Sequence, residues 1–454
     1  MSSVHYKVNE GWNIMADKVF RLEVLRARKG DCSMLHFGTT TKPGLALIDG
    51  GPKDVYKPFL KPRLKELRDE AGLTEKGKPL PIDLMMLSHI DDDHVQGLLD
   101  LTKEILNPVA ADDGPIVRVL DLWHNTFDDI IDNDADELPD AVAGLGPASL
   151  GGDLPADLLA DLDESDVPAV ADTVMIIASV PQGRQLRQDA EDIPIERNVE
   201  TAGELIVATK PAHETETLDM GKGLSFTVVG PMLPEVKKLQ AEVRAWLKKH
   251  PEAQDKVTAS ALASLADSSP TNLSSIVVLA EVEKTEGDTR SILFTGDALG
   301  DKILEGLELV KLIDEGGSIH VNVLKVQHHG SDRNATPEFF ERVTADHYVF
   351  SGNGEHGNPE RSTLKMLADA RGDDDYTIHL TYPVAEIDVE RKKDWDKERA
   401  KETKKHESNP DVKVRAKWSP AKNSLAAYLA DNPDVNKRIE IVEEDVPHTI
   451  DLFQ

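Results

Sequence analysis

The 454-residue chain has a single cysteine, Cys32. No intrachain disulfide can close, and no cysteine-based zinc knuckle can form. Long apolar runs are missing too: none approaches the roughly 20 residues that span a bilayer. The stretch from Met1 to Asp17 lacks the apolar core of a secretory signal. The expected setting is therefore the cytoplasm, with no membrane contact. Aromatic residues are scarce at 5%, and the hydrophobic share of 39% is modest but sufficient for a sizeable core. Cations are outnumbered, 52 Lys and Arg against 83 Asp and Glu, for a formal net charge of −31. Such a surface repels a phosphate backbone at long range, which disfavours a protein that coats nucleic acid. A nuclease is not excluded, because bound cations invert the potential inside a cleft.

What is present is a strand–turn–helix rhythm. Residues 19–38 read as two strands about the turn Lys29-Gly30-Asp31. A third, 45–48, ends at Asp49-Gly50-Gly51-Pro52, a strong turn signal. An amphipathic helix is expected over 56–71. The apolar run 82–87 has buried-strand length and leads into Ser88-His89-Ile90-Asp91-Asp92-Asp93-His94, with helix expected from Val95. The strand 117–123 runs into His124. Residues 128–200 are acidic and rich in Ala, Leu, Asp and Pro, the composition of an insertion, and 233–266 read as a helical insertion. Strands return at 224–229, 275–282, 291–294, 321–326, 347–350 and 376–382, the last expected to close the domain. Beyond it, 388–408 is dense in Lys, Glu and Arg, a solvated helix within a C-terminal extension over 385–454.

The strongest chemical signal is His89-x-Asp91-x-Asp93-His94, four potential ligands within six residues at a strand end. Imidazole and carboxylate suit Zn²⁺, Mn²⁺ or iron, and the spacing lets alternate residues reach two adjacent ions. Helix capping accounts for one Asp but not for two His flanking three Asp. Asp297 ends another apolar strand in Thr295-Gly296-Asp297, and Gln327-His328-His329-Gly330-Ser331 ends a third. Singly, these are ordinary turns or structural histidines. Together they imply ligands converging on one edge of a sheet.

In this order the motifs resemble the metallo-β-lactamase superfamily, and within it the soluble hydrolase domain of the bacterial DNA-uptake (competence) proteins. As there, Asp91 stands where most of the superfamily carries the second His of His-x-His-x-Asp-His. The resemblance spans roughly residues 19–384, with 1–18 as an N-terminal tail. The membrane-spanning parts of the uptake proteins have no counterpart, so no transport role follows. It implies an α/β fold, a four-layer αββα sandwich with large insertions and a C-terminal extension. It also implies two divalent metal ions, Zn²⁺ or Mn²⁺. His89 and Asp91 would hold one, Asp93 and His94 the other, with Asp297 bridging and His328 completing the second site. Asn272 stands where other branches carry a further His, which weakens the first site. His124 is either a replacement ligand or a hydrogen-bonding His beside Trp123. His356, before Gly357-Asn358-Pro359, lies near the place of a family His-Pro pair. Asp49 is expected to orient the ligand loop.

Such a site would share a hydroxide between two cations and direct it at a phosphorus or carbonyl centre. Asp93 would be indispensable to it, and His329 or Ser331 would donate to the substrate oxygen. The resemblance implies a phosphodiesterase or nuclease. The alternative is a small-molecule hydrolase acting on a lactone, cyclic nucleotide or phosphoester, which tolerates the acidic exterior because its substrate enters a cleft. A third expectation is a component of a multi-protein assembly activated by a protein partner, motivated by the acidic insertion and the charged C-terminal extension, neither of which catalysis requires. That the assembly serves bacterial antiviral defence is what analogy with the family implies.

Overall fold

The computed structural model describes residues 17–75, 77–107, 114–126, 129–130, 181–212, 216–238, 275–443 and 447–453. The N-terminal tail up to residue 16, Asn272, most of the acidic insertion and most of the expected 233–266 helices lie outside them.

Among the described residues the fold is mixed α/β, with a seven-stranded and an eight-stranded sheet. In the first, β1 (Lys18–Val24), β2 (Ser33–Thr39) and β3 (Lys42–Ile48) form an antiparallel meander. The strands β4 (Leu80–Met86), β5 (Val117–Trp123) and β6 (Glu196–Arg197) continue it in parallel. In the second sheet, β7 (Leu218–Asp219), β8 (Leu224–Gly230), β9 (Val277–Thr285) and β10 (Asp288–Phe294) are antiparallel. From β10 onward, β11 (Ile319–Lys325), β12 (Val343–Phe350), β13 (Thr377–Leu380) and β14 (Ile439–Ile441) run parallel. Finally β15 (His448–Asp451) pairs antiparallel with β1, so the chain returns to the first sheet.

Alternation along the strands separates two apolar clusters, because successive side chains point to opposite faces. Phe20, Leu22, Leu35 and Phe37 of the first sheet join Phe226, Val278 and Ile292 of the second in one buried cluster. Met34, Leu45, Leu47, Ile82 and Met85 face the other way. They pack against Leu64 and Leu67 of α1 (Lys61–Glu70) and Val95, Leu98 and Leu101 of α2 (Asp92–Leu106). Each fully buried Leu, Ile or Phe contributes about 2 kcal/mol over its exposed state.

Two expectations need correction. The helix after the His/Asp loop starts at Asp92, not Val95. The Asp91 carbonyl accepts the N–H groups of His94 and Val95 at 2.9 and 3.0 Å, and Asp92 and Asp93 complement the positive end of the helix. Asp93 and His94 therefore sit on a rigid first turn. The stretch 376–382 does not supply the last strand, since β14 extends the second sheet and β15 the first. Strands this short carry no readable alternation, and edge pairing runs through backbone groups that are indifferent to side-chain type.

Among the described residues, no helix is long and apolar enough to cross a membrane.

Candidate metal centre

The chemistry-bearing loops leave the carboxyl ends of β3, β4, β10 and β11. They belong to two sheets, so the convergence is between two rims rather than along one. Glycines make the approach possible. A Cβ on Gly30 would lie 1.8 Å from the Asp93 carbonyl oxygen, and one on Gly97 would lie 1.8 Å from the Gly50 carbonyl oxygen. Close contact then allows hydrogen bonds from Gly50 N–H to the His94 carbonyl (2.8 Å) and from Gly97 N–H to the Gly51 carbonyl (3.0 Å). His328 and His329 both adopt left-handed backbone conformations, with φ of 46° and 55°. For bulky residues that geometry is strained and persists only where surrounding contacts impose it.

Four imidazoles surround the carboxylate of Asp297. His89 Nε2 lies 3.6 Å and His328 Nε2 3.5 Å from Asp297 Oδ2. His94 Nε2 lies 3.4 Å and His329 Nε2 3.8 Å from Asp297 Oδ1. Asp91 Oδ2 is 3.6 Å from His89 Nε2, and Asp93 Oδ2 is 3.6 Å from His329 Nε2. All these separations exceed good hydrogen bonds. They match the roughly 3.4 Å between ligand atoms that bind one ion tetrahedrally at 2.0–2.1 Å.

Each ring is anchored through its other nitrogen. Nδ1 of His89 meets Ser88 Oγ at 3.0 Å, and Nδ1 of His94 meets Asp49 Oδ2 at 2.9 Å. Nδ1 of His328 meets Asn334 Oδ1 at 2.8 Å, and Nδ1 of His329 meets Ser351 Oγ at 3.0 Å and Asp31 Oδ1 at 3.2 Å. Asp49 also accepts the Ser88 N–H and hydroxyl, both at 2.8 Å, so it orients the loop as expected from sequence. Among the described residues, the buried Nε2 of His89, His94 and His329, together with Asp91 Oδ1 and Asp297 Oδ1, have no hydrogen-bond partner. Orphaned buried polar atoms are costly unless something else satisfies them. These residues could hold metal ions.

Electrostatics point the same way. Burial opposes charge on His94, yet Asp297 and Asp49 hold it well above the usual imidazole range. His329 is likewise pushed up, against burial, to about 9 by Asp31 and Asp297. Against the same desolvation, the imidazoles hold Asp93 and Asp297 well below the ordinary carboxylate range. The cluster thus concentrates negative charge that protons offset and cations could offset instead.

The structure places four of the expected residues as follows. His329, assigned a donor role, lies buried among the ligand-type atoms, whereas His328 is the more exposed ring, on the Asp91 side. Ser331 is buried, and its Oγ accepts the Arg333 N–H at 3.4 Å. His124 makes no replacement ligand: it is fully buried, its Nε2 lies 3.2 Å from the Gly183 carbonyl, and burial pulls it down to about 4. His356 sits outside the cluster, its Nε2 3.4 Å from Lys29 Nζ. Sequence reasoning also left Asp31 without a role. It falls together with His94, Asp297 and His329 within 4.8 Å and is held by Lys325 Nζ at 2.8 Å in a buried ion pair. The only sequence signal for it was an Asp directly after a turn glycine and before a buried strand.

No protein-family model and no curated protein matches the chain. Among solved structures it is similar to a β-lactamase from Chitinophaga pinensis at 12% identity, covering 95% of this chain and 97% of that one. The TM-score is 0.23, too low to carry weight for fold or activity.

Proposed function

We propose that the protein is a metal-dependent hydrolase with a two-metal site, acting on a phosphodiester or small phosphoester. The observation that carries this reading is the arrangement about Asp297: four histidines anchored through Nδ1, their Nε2 atoms divided between its two carboxylate oxygens. Asp297, His89, Asp91 and His328 would hold one divalent ion. Asp297, Asp93, His94 and His329 would hold the other, as Zn²⁺ or Mn²⁺. When bound, such a pair supplies activated water at neutral pH and neutralises charge developing at phosphorus. In this reading the two sheets and their flanking helices form a four-layer αββα sandwich of metallo-β-lactamase type, to which the C-terminal extension contributes β14 and β15.

The chain's own residues have separate tasks. Asp49, Ser88, Asn334, Asp31 and Ser351 orient the rings, and the left-handed turn at His328-His329 aims both at one carboxylate. Lys29, whose charge lowers the pKa of Asp93 and which lies beside His356, would meet an anionic substrate at the rim. That cation favours a phosphate ester over a neutral lactone, despite the acidic exterior.

The test pairs metal quantification of wild type and Asp93→Ala with a screen of single-stranded DNA, RNA, cyclic nucleotides and lactones, each with Mn²⁺ or Zn²⁺. Metal-dependent cleavage of a phosphate ester by wild type alone supports the reading. Less than one equivalent of metal, with no hydrolysis on adding either ion, overturns it.

A further inference from the structure

Outside this centre, at the edge of the second sheet, His347, His379 and His448 form a row of imidazoles beside Glu440. His379 on β13 and Glu440 on β14 are register partners, while His448 opens β15, which is paired to β1 of the other sheet. His379 Nδ1 lies 2.8 Å from His448 Nε2 and 3.6 Å from Glu440 Oε2. The three residues offer ligand atoms that all lie within 4.8 Å of one another. His347 Nδ1 sits 3.0 Å from the remaining nitrogen, His379 Nε2.

We propose that His379, Glu440 and His448 form a second, separate binding site for one transition-metal ion of the Zn²⁺ class, which clips the C-terminal segment to both sheets. Two imidazoles and a carboxylate are a common three-ligand set for zinc, with water in the fourth position. The Glu440 side chain is 60% exposed while His379 is 3% exposed, so the site is anchored inside and open outside. With Nδ1 as the ligand, His379 Nε2–H donates to His347 Nδ1, the supporting contact that metal-bound histidines usually make. Tetrahedral zinc would separate ligand atoms by about 3.4 Å. The half-buried His448 ring therefore has to withdraw by about half an ångström, a side-chain adjustment at the surface.

The test uses the full chain, in wild type and in Asp297→Ala, which cripples the first centre. Zinc content is counted after dialysis, and melting is followed with and without added Zn²⁺. His448→Ala and Glu440→Gln, both outside the core, are expected to lower zinc content by one equivalent in either background. In Asp297→Ala they are expected to abolish the zinc-induced rise in melting temperature. Circular dichroism checks that each variant is folded. Unchanged zinc content in both variants overturns the proposal, and the Asp297→Ala background makes that result independent of the first centre.

Discussion

Asp49 Oδ2 sits 2.9 Å from Nδ1 of His94 and so decides which nitrogen of that imidazole faces Asp297. The carboxylate can only accept, so Nδ1 keeps its proton and Nε2 is the nitrogen that would give up its own to a metal ion. Asp49 itself has a φ of 57°, a conformation that Asn tolerates. Asp49→Asn is expected to preserve the fold and weaken metal binding about 10- to 100-fold. Competition with a chelator measures this, and an unchanged affinity would remove Asp49 from its orienting role.

The two oxygens of Asp297 separate the ligand atoms into two groups, which gives a selective prediction. Asp91→Asn is expected to lose one metal equivalent, His329→Gln the other, and Asp297→Ala both. Mass spectrometry of the metal content distinguishes these cases. If either single substitution empties the whole centre, the two-group division is wrong.

Gly30→Ala places a methyl group against the backbone of the ligand helix, 1.8 Å from the Asp93 carbonyl oxygen. Backbone cannot swing aside as a flexible side chain would. The expected cost is about 1–3 kcal/mol, read as a lower urea midpoint, together with lower metal content because Asp93 is displaced.

His124 makes the stability pH-dependent. Its folded pKa of about 4 lies below the ordinary 6.5. Between those values the unfolded chain binds a proton that the folded chain refuses, so stability is fully present above about 6.5 and falls as pH drops toward 4. At about 1.4 kcal/mol per unit, the loss approaches roughly 3 kcal/mol. Urea unfolding with chelator present, so that the metal centre does not contribute, measures the slope. His124→Gln is expected to be less stable at neutral pH and to show a shallower slope.

Lys29 is expected to act on substrate rather than on metal. Lys29→Ala is predicted to raise KM for a phosphodiester about tenfold, as loss of one charged contact does, with metal content unchanged. An equal effect on a neutral lactone would show that its charge is not what the substrate meets.

Much of this was legible in the chain itself. The apolar run before His89 and the turn glycines announce the strand ends, because burial and turn chemistry are local properties. The residue types at 89, 91, 93, 94, 297 and 328 announce metal-type chemistry, because imidazole and carboxylate in that density suit little else. The sequence alone thus determined which chemistry is available and in what order the loops supply it. Only the tertiary structure decided which nitrogen faces which oxygen. It turned His329 inward through a left-handed bend and brought Asp31 to it across 298 positions. It withdrew His124 into a hydrogen bond with Gly183, and it completed both sheets with strands too short to read. Local periodicity encodes burial, whereas ring orientation and edge pairing depend on contacts between residues hundreds of positions apart.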